Sequence, residues 1–131
     1  MNTKQRRPAA GQSINEFALI IFILLVIFIL ILDLGRAVYY YSAVYNSARE
    51  GARYGSIDPD NTTAIENRVR DYTVGLDSDE LTITILYPDD ETIQVVVSYE
   101  FQAVTPLVYV FSGSNIITLN SQATMYIEPG T

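Results

Sequence analysis

The longest apolar pattern in the chain covers residues 17–32, where every residue except Ala18 is Leu, Ile, Phe or Val. A helix of these 16 residues spans about 24 Å, slightly less than the hydrocarbon core of a bilayer. Its fifteen strongly apolar side chains, at about −0.3 to −0.6 kcal/mol each, favour insertion by roughly 5 to 9 kcal/mol. The 75 residues after position 56 are too few to cover such a helix on all sides, so we predict a membrane-spanning helix.

A cleaved secretory signal peptide is the alternative interpretation of this run. Such a peptide ends in small residues that form an A-x-A-like cleavage site. The run is instead followed by D-L-G-R at positions 33–36, and neither Ala37 nor Ala43 completes a site of this kind. The sequence therefore favours a membrane segment that is retained.

The helical pattern continues beyond the apolar run. Residues 33–54 contain no proline and are rich in good helix formers. We predict one helix over residues 13–54, about 60 Å long, with half of it in lipid and half outside. Gly55 is the predicted C-cap, and residues 56–60 are the turn that follows it.

The outer half of this helix carries a stripe of small residues with the spacing i, i+3, i+4, i+7. The stripe consists of Ala48, Gly51, Ala52 and Gly55. Small residues at this spacing let another element approach closely. Packing of the chain's own C-terminal region is the favoured interpretation, and packing between neighbouring copies is the alternative. Glu50 and Arg53 are predicted to be solvated on the other side.

The remainder of the chain alternates in a way typical of a small α+β domain. A short helix is predicted, capped by Asp60 or Thr62 and ended by Gly75. Its apolar face comprises Ile65, Val69 and Tyr72.

Three strands follow, because apolar and polar residues alternate with a period of two. The strands are predicted at residues 81–87, 92–104 and 116–127, and the first two form a hairpin around the turn at 88–91. Pro106 ends the second strand, and residues 107–114 are predicted to be a loop or a short apolar excursion. The outer half of the long helix is the predicted cover of this antiparallel sheet. The fold class is therefore α+β: a long helix on a sheet of about three strands, with one short extra helix.

Composition excludes several classes of function. The 131 residues include no cysteine and no histidine, which removes disulfides, thiolate metal sites and the commonest general base. No catalytic or phosphate-binding motif is present, so we expect no enzyme activity, no cofactor and no small-molecule substrate. The acidic turns at 77–80 and 88–91 suggest calcium, but they lack the EF-hand spacing and glycine. They are interpreted as solvated acids, and no metal site is predicted.

Charge is divided along the chain. Lys4, Arg6 and Arg7 precede Glu16, whereas five basic and fifteen acidic residues lie from Glu16 onward. A basic flank orients the N-terminus to the cytoplasm, and the acidic remainder is then translocated. The predicted location is the cytoplasmic membrane, with a single pass. The acidity also argues against nucleic acid as a partner.

Three blocks of the sequence resemble a known family. They are G-Q-S-I-N-E-F-A-L-I from position 11, D-L-G-R-A-V-Y-Y-Y-S-A-V-Y-N-S-A-R-E-G-A-R-Y-G-S from 33, and T-P-L-V-Y-V-F-S-G-S-N-I-I-T-L-N-S-Q-A-T-M-Y-I-E from 105. The sequence is similar to TadE-like proteins, which are minor pilins or pilin-like subunits of tight-adherence pili in bacteria and archaea. The family-like positions are Asp33, Gly35, Arg36, Arg49, Glu50, Gly51, Ala52 and Arg53.

The resemblance implies a pilin-like fold, a prepilin peptidase and other pilin subunits as partners, and a role in pilus assembly and adhesion. It places the peptidase cut between Gly11 and Gln12, which makes Glu16 the fifth and Phe17 the sixth residue of the mature chain. Glu16 would then be the carboxylate used in processing and assembly. Family members often have a proline early in the apolar run, where this chain has Phe22, so we expect an unkinked helix.

A physical argument supports the same role for Glu16. A carboxylate among packed apolar helices is costly unless it is paired. A cut after Gly11 creates an α-ammonium group on Gln12, about one helical turn away, and a neighbouring subunit's ammonium group can reach the carboxylate during assembly. Simple solvation of Glu16 at the membrane edge is the alternative.

These predictions divide the chain into four parts: a basic cytoplasmic leader at 1–11, a transmembrane segment at 12–33, an outer helical continuation at 34–56 and a small α+β region at 57–131. The favoured function is a processed pilin-like subunit. The alternative is a permanently anchored protein whose outer domain binds secretion or surface partners.

Overall fold

The structure, a computed structural model, describes residues 10–128 except the side chains of residues 10, 107 and 111. Most of the predicted leader therefore lies outside the described residues. The elements in chain order are α1 (Ala10–Gly55), α2 (Thr62–Asp71), a 3-10 turn (Ser78–Glu80), β1 (Leu81–Asp89), β2 (Thr92–Gln102), α3 (Pro106–Ser112) and β3 (Ile116–Tyr126). The predicted α+β class is confirmed.

Helix α1 begins three residues before its predicted start and ends one residue after its predicted end. It is α-helical throughout, with no break at Phe22. Its most apolar 18-residue window has a mean hydropathy of 3.4 and is 6% buried. Because a core helix of a soluble domain would be covered, this exposed helix is a candidate membrane span by length and composition.

The chain divides between Leu32 and Asp33 into two units. The second unit, called the outer domain below, holds the sheet, in the order β1-β2-β3 with antiparallel neighbours. The central strand, β2, has one face that is buried along its length. The buried residues of that face are Ile93, Val95, Val97, Tyr99 and Phe101.

The outer half of α1 covers this buried face of the sheet. Val44, Ala48 and Ala52 have no exposed surface and belong to the same core cluster as the β2 residues. From α2, Ile65 and Val69 complete the cluster. The long helix thus lies on the sheet as the apolar patterns predicted.

Details of α2 differ from the prediction. Its N-cap is Asn61, whose side chain accepts a hydrogen bond from the N–H of Ala64 at 3.2 Å. Asn61 lies three residues before that N–H group, which is the spacing a side-chain cap needs. The helix ends at Asp71 with Tyr72 as C-cap. Gly75, with φ of 87°, lies in the turn beyond it.

Tyr72 was also assigned wrongly to the apolar face of α2. Its side chain is 40% exposed, and the guanidinium of Arg68 lies 5.3 Å from the centre of its ring. The ring therefore belongs to the solvent side of α2, where an arginine covers one face of it.

The segment that begins at Pro106 forms helix α3, where a loop or a short apolar excursion was predicted for residues 107–114. Strand β2 ends at Gln102, four residues before Pro106, so the prediction that Pro106 ends this strand is wrong. Proline is well suited to the first position of a helix, where its missing N–H is not needed. Pro106 occupies that first turn, and Gly113, with φ of 72°, ends the helix in the left-handed conformation.

The turn between β1 and β2 is also shorter than predicted. Only residues 90–91 form it, because β1 continues to Asp89. Pro88 lies within β1, where the strand register shifts between Leu86 and Asp89. An irregular register accommodates a residue that cannot donate a backbone hydrogen bond.

Candidate functional site

The proposed processing and assembly residues lie at the start of α1. The side-chain amide of Gln12 donates a hydrogen bond to Oε1 of Glu16 at 3.2 Å. The two residues are four apart, so helical geometry places them on one face. Both are exposed, as are Gly11 and Phe17. The structure thus brings the Glu16 carboxylate next to the residue whose α-amine a cut after Gly11 would free.

The bond between Gly11 and Gln12 lies in the first turn of α1. Glycine weakens a helix by about 1 kcal/mol relative to alanine. No other side chain of the described chain lies within 4 Å of a Cβ placed on Gly11. Gly11 is therefore open on the side where a side chain would stand.

Asp33, directly after the apolar run, has a structural role that sequence reasoning missed. Its side chain is buried, at 6% exposure. It accepts hydrogen bonds from the Thr105 N–H at 2.7 Å, the Thr105 hydroxyl at 2.6 Å and the Val104 N–H at 3.2 Å. Thr105 is the N-cap residue of α3, and its own side chain makes no capping bond. Asp33 therefore holds the two residues that lead into α3, from 72 residues away along the chain, an arrangement called the Asp33 cap below.

Arg36 lies beside this cap. Its guanidinium is 3.5 Å from the Asp33 carboxylate and lies 5.6 Å and 5.3 Å from the ring centres of Tyr40 and Phe101. Tyr40 in turn packs edge-on against Tyr99 at 5.4 Å. Two of the family-like positions, Asp33 and Arg36, thus join α1 to α3 and to β2.

The small-residue stripe of α1 is occupied by the chain's own outer domain. A Cβ on Gly51 would lie 2.5 Å from Cγ2 of Val69 and 3.2 Å from Cγ1 of Val95. A Cβ on Gly55 would lie 2.5 Å from Cδ1 of Ile93. Both approaches are closer than packed carbon atoms allow, so glycine is needed for space. Gly55 is the last helical residue and does not have a positive φ, which corrects its assignment as a conformational C-cap.

Gly35 differs from these two glycines. A Cβ placed on it meets no atom within 4 Å among the residues that the structure describes. We expect Gly35→Ala to raise stability by about 1 kcal/mol through helix propensity. Gly51→Ala should lower it by about 1 to 3 kcal/mol through overpacking. Chemical unfolding of both variants, followed by circular dichroism in detergent, checks the pair, and a Gly51→Ala protein as stable as Gly35→Ala would contradict the packing argument.

Glu50 links α1 to α2. Its carboxylate lies 2.8 Å from the guanidinium of Arg53 and 3.9 Å from that of Arg68. Arg49 lies over the ring of Tyr45, 5.8 Å from its centre. The two ion pairs of Glu50 are partly solvated, and each contributes about 0 to 1 kcal/mol to stability. The predicted solvent-facing pair is therefore also a weak bridge between two helices.

The acidic turns make local hydrogen bonds. Asp77 accepts from the N–H of Asp79 at 3.1 Å, and Asp89 accepts from the N–H of Glu91 at 3.0 Å. Within residues 10–128 no group of three or more acidic side chains is placed to hold a metal ion. An open groove of about 480 Å³ lies beside Arg36 and Tyr40 and mixes basic, acidic and aromatic side chains.

Comparison with known proteins supports the resemblance for part of the chain. The family model described as TadE-like protein matches residues 11–53. This confirms the resemblance for the part of the chain that holds the Gly11–Glu16 turn, the apolar run, Asp33 and most of the stripe, whereas the block from position 105 lies outside the match. No curated protein and no solved structure matches the chain.

Proposed function

We propose that this chain, whose residues 11–53 match TadE-like proteins, is a pilin-like structural subunit of a tight-adherence pilus or of a related secretion system. The single observation that carries the proposal is the extent of that match, which runs without interruption from the proposed cut site through the apolar run to the outer half of α1. The chain acts by assembling with other pilin subunits and contributes to adhesion, and it catalyses no reaction.

Processing is the first step of the proposed function. A prepilin peptidase cuts between Gly11 and Gln12 and removes the basic leader, which stays in the cytoplasm because of its positive charge. The location of this bond in the exposed first turn of α1 supports the proposal. The mature chain then begins one helical turn before Glu16.

Assembly is the second step. In the bilayer, Glu16 lies at the N-terminal end of the apolar run, where it is exposed and hydrogen-bonded to the neutral side-chain amide of Gln12. When apolar helices pack together, a carboxylate without a cation carries a large desolvation cost. The α-ammonium group of Gln12 in a neighbouring subunit supplies that cation, so only correctly processed and correctly staggered subunits pack well.

Mass spectrometry of the chain isolated from its native membrane tests the proposal. We expect a mature N-terminus at Gln12 and the loss of the eleven-residue leader. A Gly11→Leu variant should keep the leader, whereas Gly35→Leu, a change at a glycine that is equally open, should be cut normally. An intact leader on the unmodified chain in assembled material would contradict the proposal and favour a permanently anchored binding module.

A further inference from the structure

Helix α3 has an apolar side that nothing in the described chain covers. Val108 packs against the core cluster, so one side of the helix is attached to the outer domain. Tyr109 and Val110 of α3 are 58% and 72% exposed, and Val104, two residues before the helix, is 69% exposed. Contact of these apolar side chains with water is unfavourable, and an exposed apolar patch of this kind points to a partner with an apolar surface.

The Asp33 cap determines which part of the outer domain carries this surface. The cap holds the backbone of Val104 and Thr105 against Asp33, and Asp33 is the residue directly after the last apolar residue, Leu32. Leu34, the next residue of α1, is 66% exposed. The bare side of α3 therefore belongs to the end of the outer domain that adjoins the membrane segment.

Charge is distributed in agreement with this position. Residues 101–127 contain no charged side chain, although the chain as a whole has a net charge of −7. Beside the cap, the Arg36 side chain is 44% exposed and can approach lipid phosphates. Asp77, Glu80 and Glu100 line the groove that Arg36 and Val104 also line. An acidic domain with an uncharged apolar surface and a neighbouring arginine fits the boundary between lipid headgroups and acyl chains.

We propose that the partner is the bilayer itself. Helix α3 then lies in the membrane–water interface on the extracytoplasmic side of the cytoplasmic membrane, as a second membrane contact of this chain. Tyr109 occupies the headgroup level that tyrosine prefers, and Val104 and Val110 enter the acyl boundary. The contact fixes the outer domain against the membrane surface before assembly. The inference rests on insertion of the apolar run, and the experiment below measures insertion separately.

The chain has no tryptophan, so a single introduced tryptophan reports its own surroundings. Tyr109→Trp places the probe on α3. Tyr126→Trp is the matched control, because Tyr126 is 76% exposed. It is the last residue of β3, about 33 Å along the strand from the end that follows α3. The end that holds Tyr126 adjoins the far end of α1, where the Glu128 N–H donates to the Ser56 carbonyl at 2.8 Å.

The full chain is reconstituted at one copy per nanodisc, with ordinary or brominated phospholipid. We expect Tyr109→Trp to emit at shorter wavelength than Tyr126→Trp and to lose more than half of its fluorescence in brominated lipid, while Tyr126→Trp stays unchanged. Adding Val110→Asp to Tyr109→Trp should abolish most of the quenching. Flotation of the same variants with vesicles shows whether the apolar run is inserted.

Equal quenching of the two tryptophan variants in chains that float would overturn the contact and leave the membrane span intact. A blue shift of Tyr109→Trp that requires several copies per nanodisc would assign the surface to a second copy and also overturn the proposal. Failure of all variants to float would overturn the span, and the α3 contact with it.

Discussion

Replacing Asp33 by alanine is expected to lower the free energy of unfolding of the outer domain by about 3 kcal/mol. The substitution removes an acceptor that receives three hydrogen bonds, two of them shorter than 2.8 Å. It leaves the N–H groups of Val104 and Thr105, just before α3, without their partner and the Arg36 guanidinium without its carboxylate. Near-ultraviolet circular dichroism of the tyrosines, recorded during chemical unfolding in detergent, measures the loss.

Two further variants separate the cap from general effects at this position. Asp33→Asn keeps one acceptor oxygen and should therefore cost less than Asp33→Ala. Thr105→Val removes the hydroxyl donor, and a double-mutant cycle with Asp33→Ala should give a coupling energy of about 1 kcal/mol or more. Hydrogen exchange at the Val104 and Thr105 amides should accelerate in Asp33→Ala, and unchanged exchange there would contradict the cap.

Replacing Glu16 by alanine is expected to leave membrane insertion intact and to abolish most pilus output. Alanine is apolar, so it does not hinder insertion of the adjoining run. The subunit contact, however, would then bury the α-ammonium of a neighbouring chain without its carboxylate. Loss of one partner of a buried pair costs about 3 kcal/mol, on the order of a hundredfold in an equilibrium constant. Sheared surface fractions, compared with membrane fractions, give the two quantities.

Asn15→Ala is the matched control for this experiment, because Asn15 is an exposed neighbour on the same helical turn. It should insert and assemble as the unmodified chain does. Mass spectrometry of each variant shows whether processing has also changed, since uncut Glu16→Ala would place the defect before assembly. Unchanged pilus output from Glu16→Ala would remove Glu16 from the assembly mechanism.

Periodicity was sufficient to predict the elements whose burial it reflects. Residues 17–32 are apolar on every side, as a helix in a bilayer would be, and β2 alternates because one face of a sheet meets a core. The stripe from Ala48 to Gly55 was recognised from its spacing alone. In each case the pattern is local, and the energetic term that produces it is the burial of apolar surface.

The sequence could not reveal contacts between distant residues. An aspartate within a long helix and a threonine before a proline are both common. Neither Asp33 nor Thr105 therefore indicates in the sequence that the two residues are in contact. Helix α3 was missed because a short apolar run fits a loop, strand or helix equally well. The cap residue of α2 was displaced by one position, which is the usual uncertainty of helix ends. The processing and assembly roles of Gly11 and Glu16 stay predictions.

The composition of the α1 stripe has a consequence for the order in which the protein is made. Synthesis proceeds from the N-terminus, so residues 44–55 exist before β2, their cover, has been added. During that interval this face of the helix has no cover. Alanine and glycine present far less apolar surface than leucine or phenylalanine would, and the nascent helix therefore offers little to chaperones or to other unfinished chains. The same four small residues therefore allow close packing in the folded domain and limit the exposed apolar surface before the domain is complete.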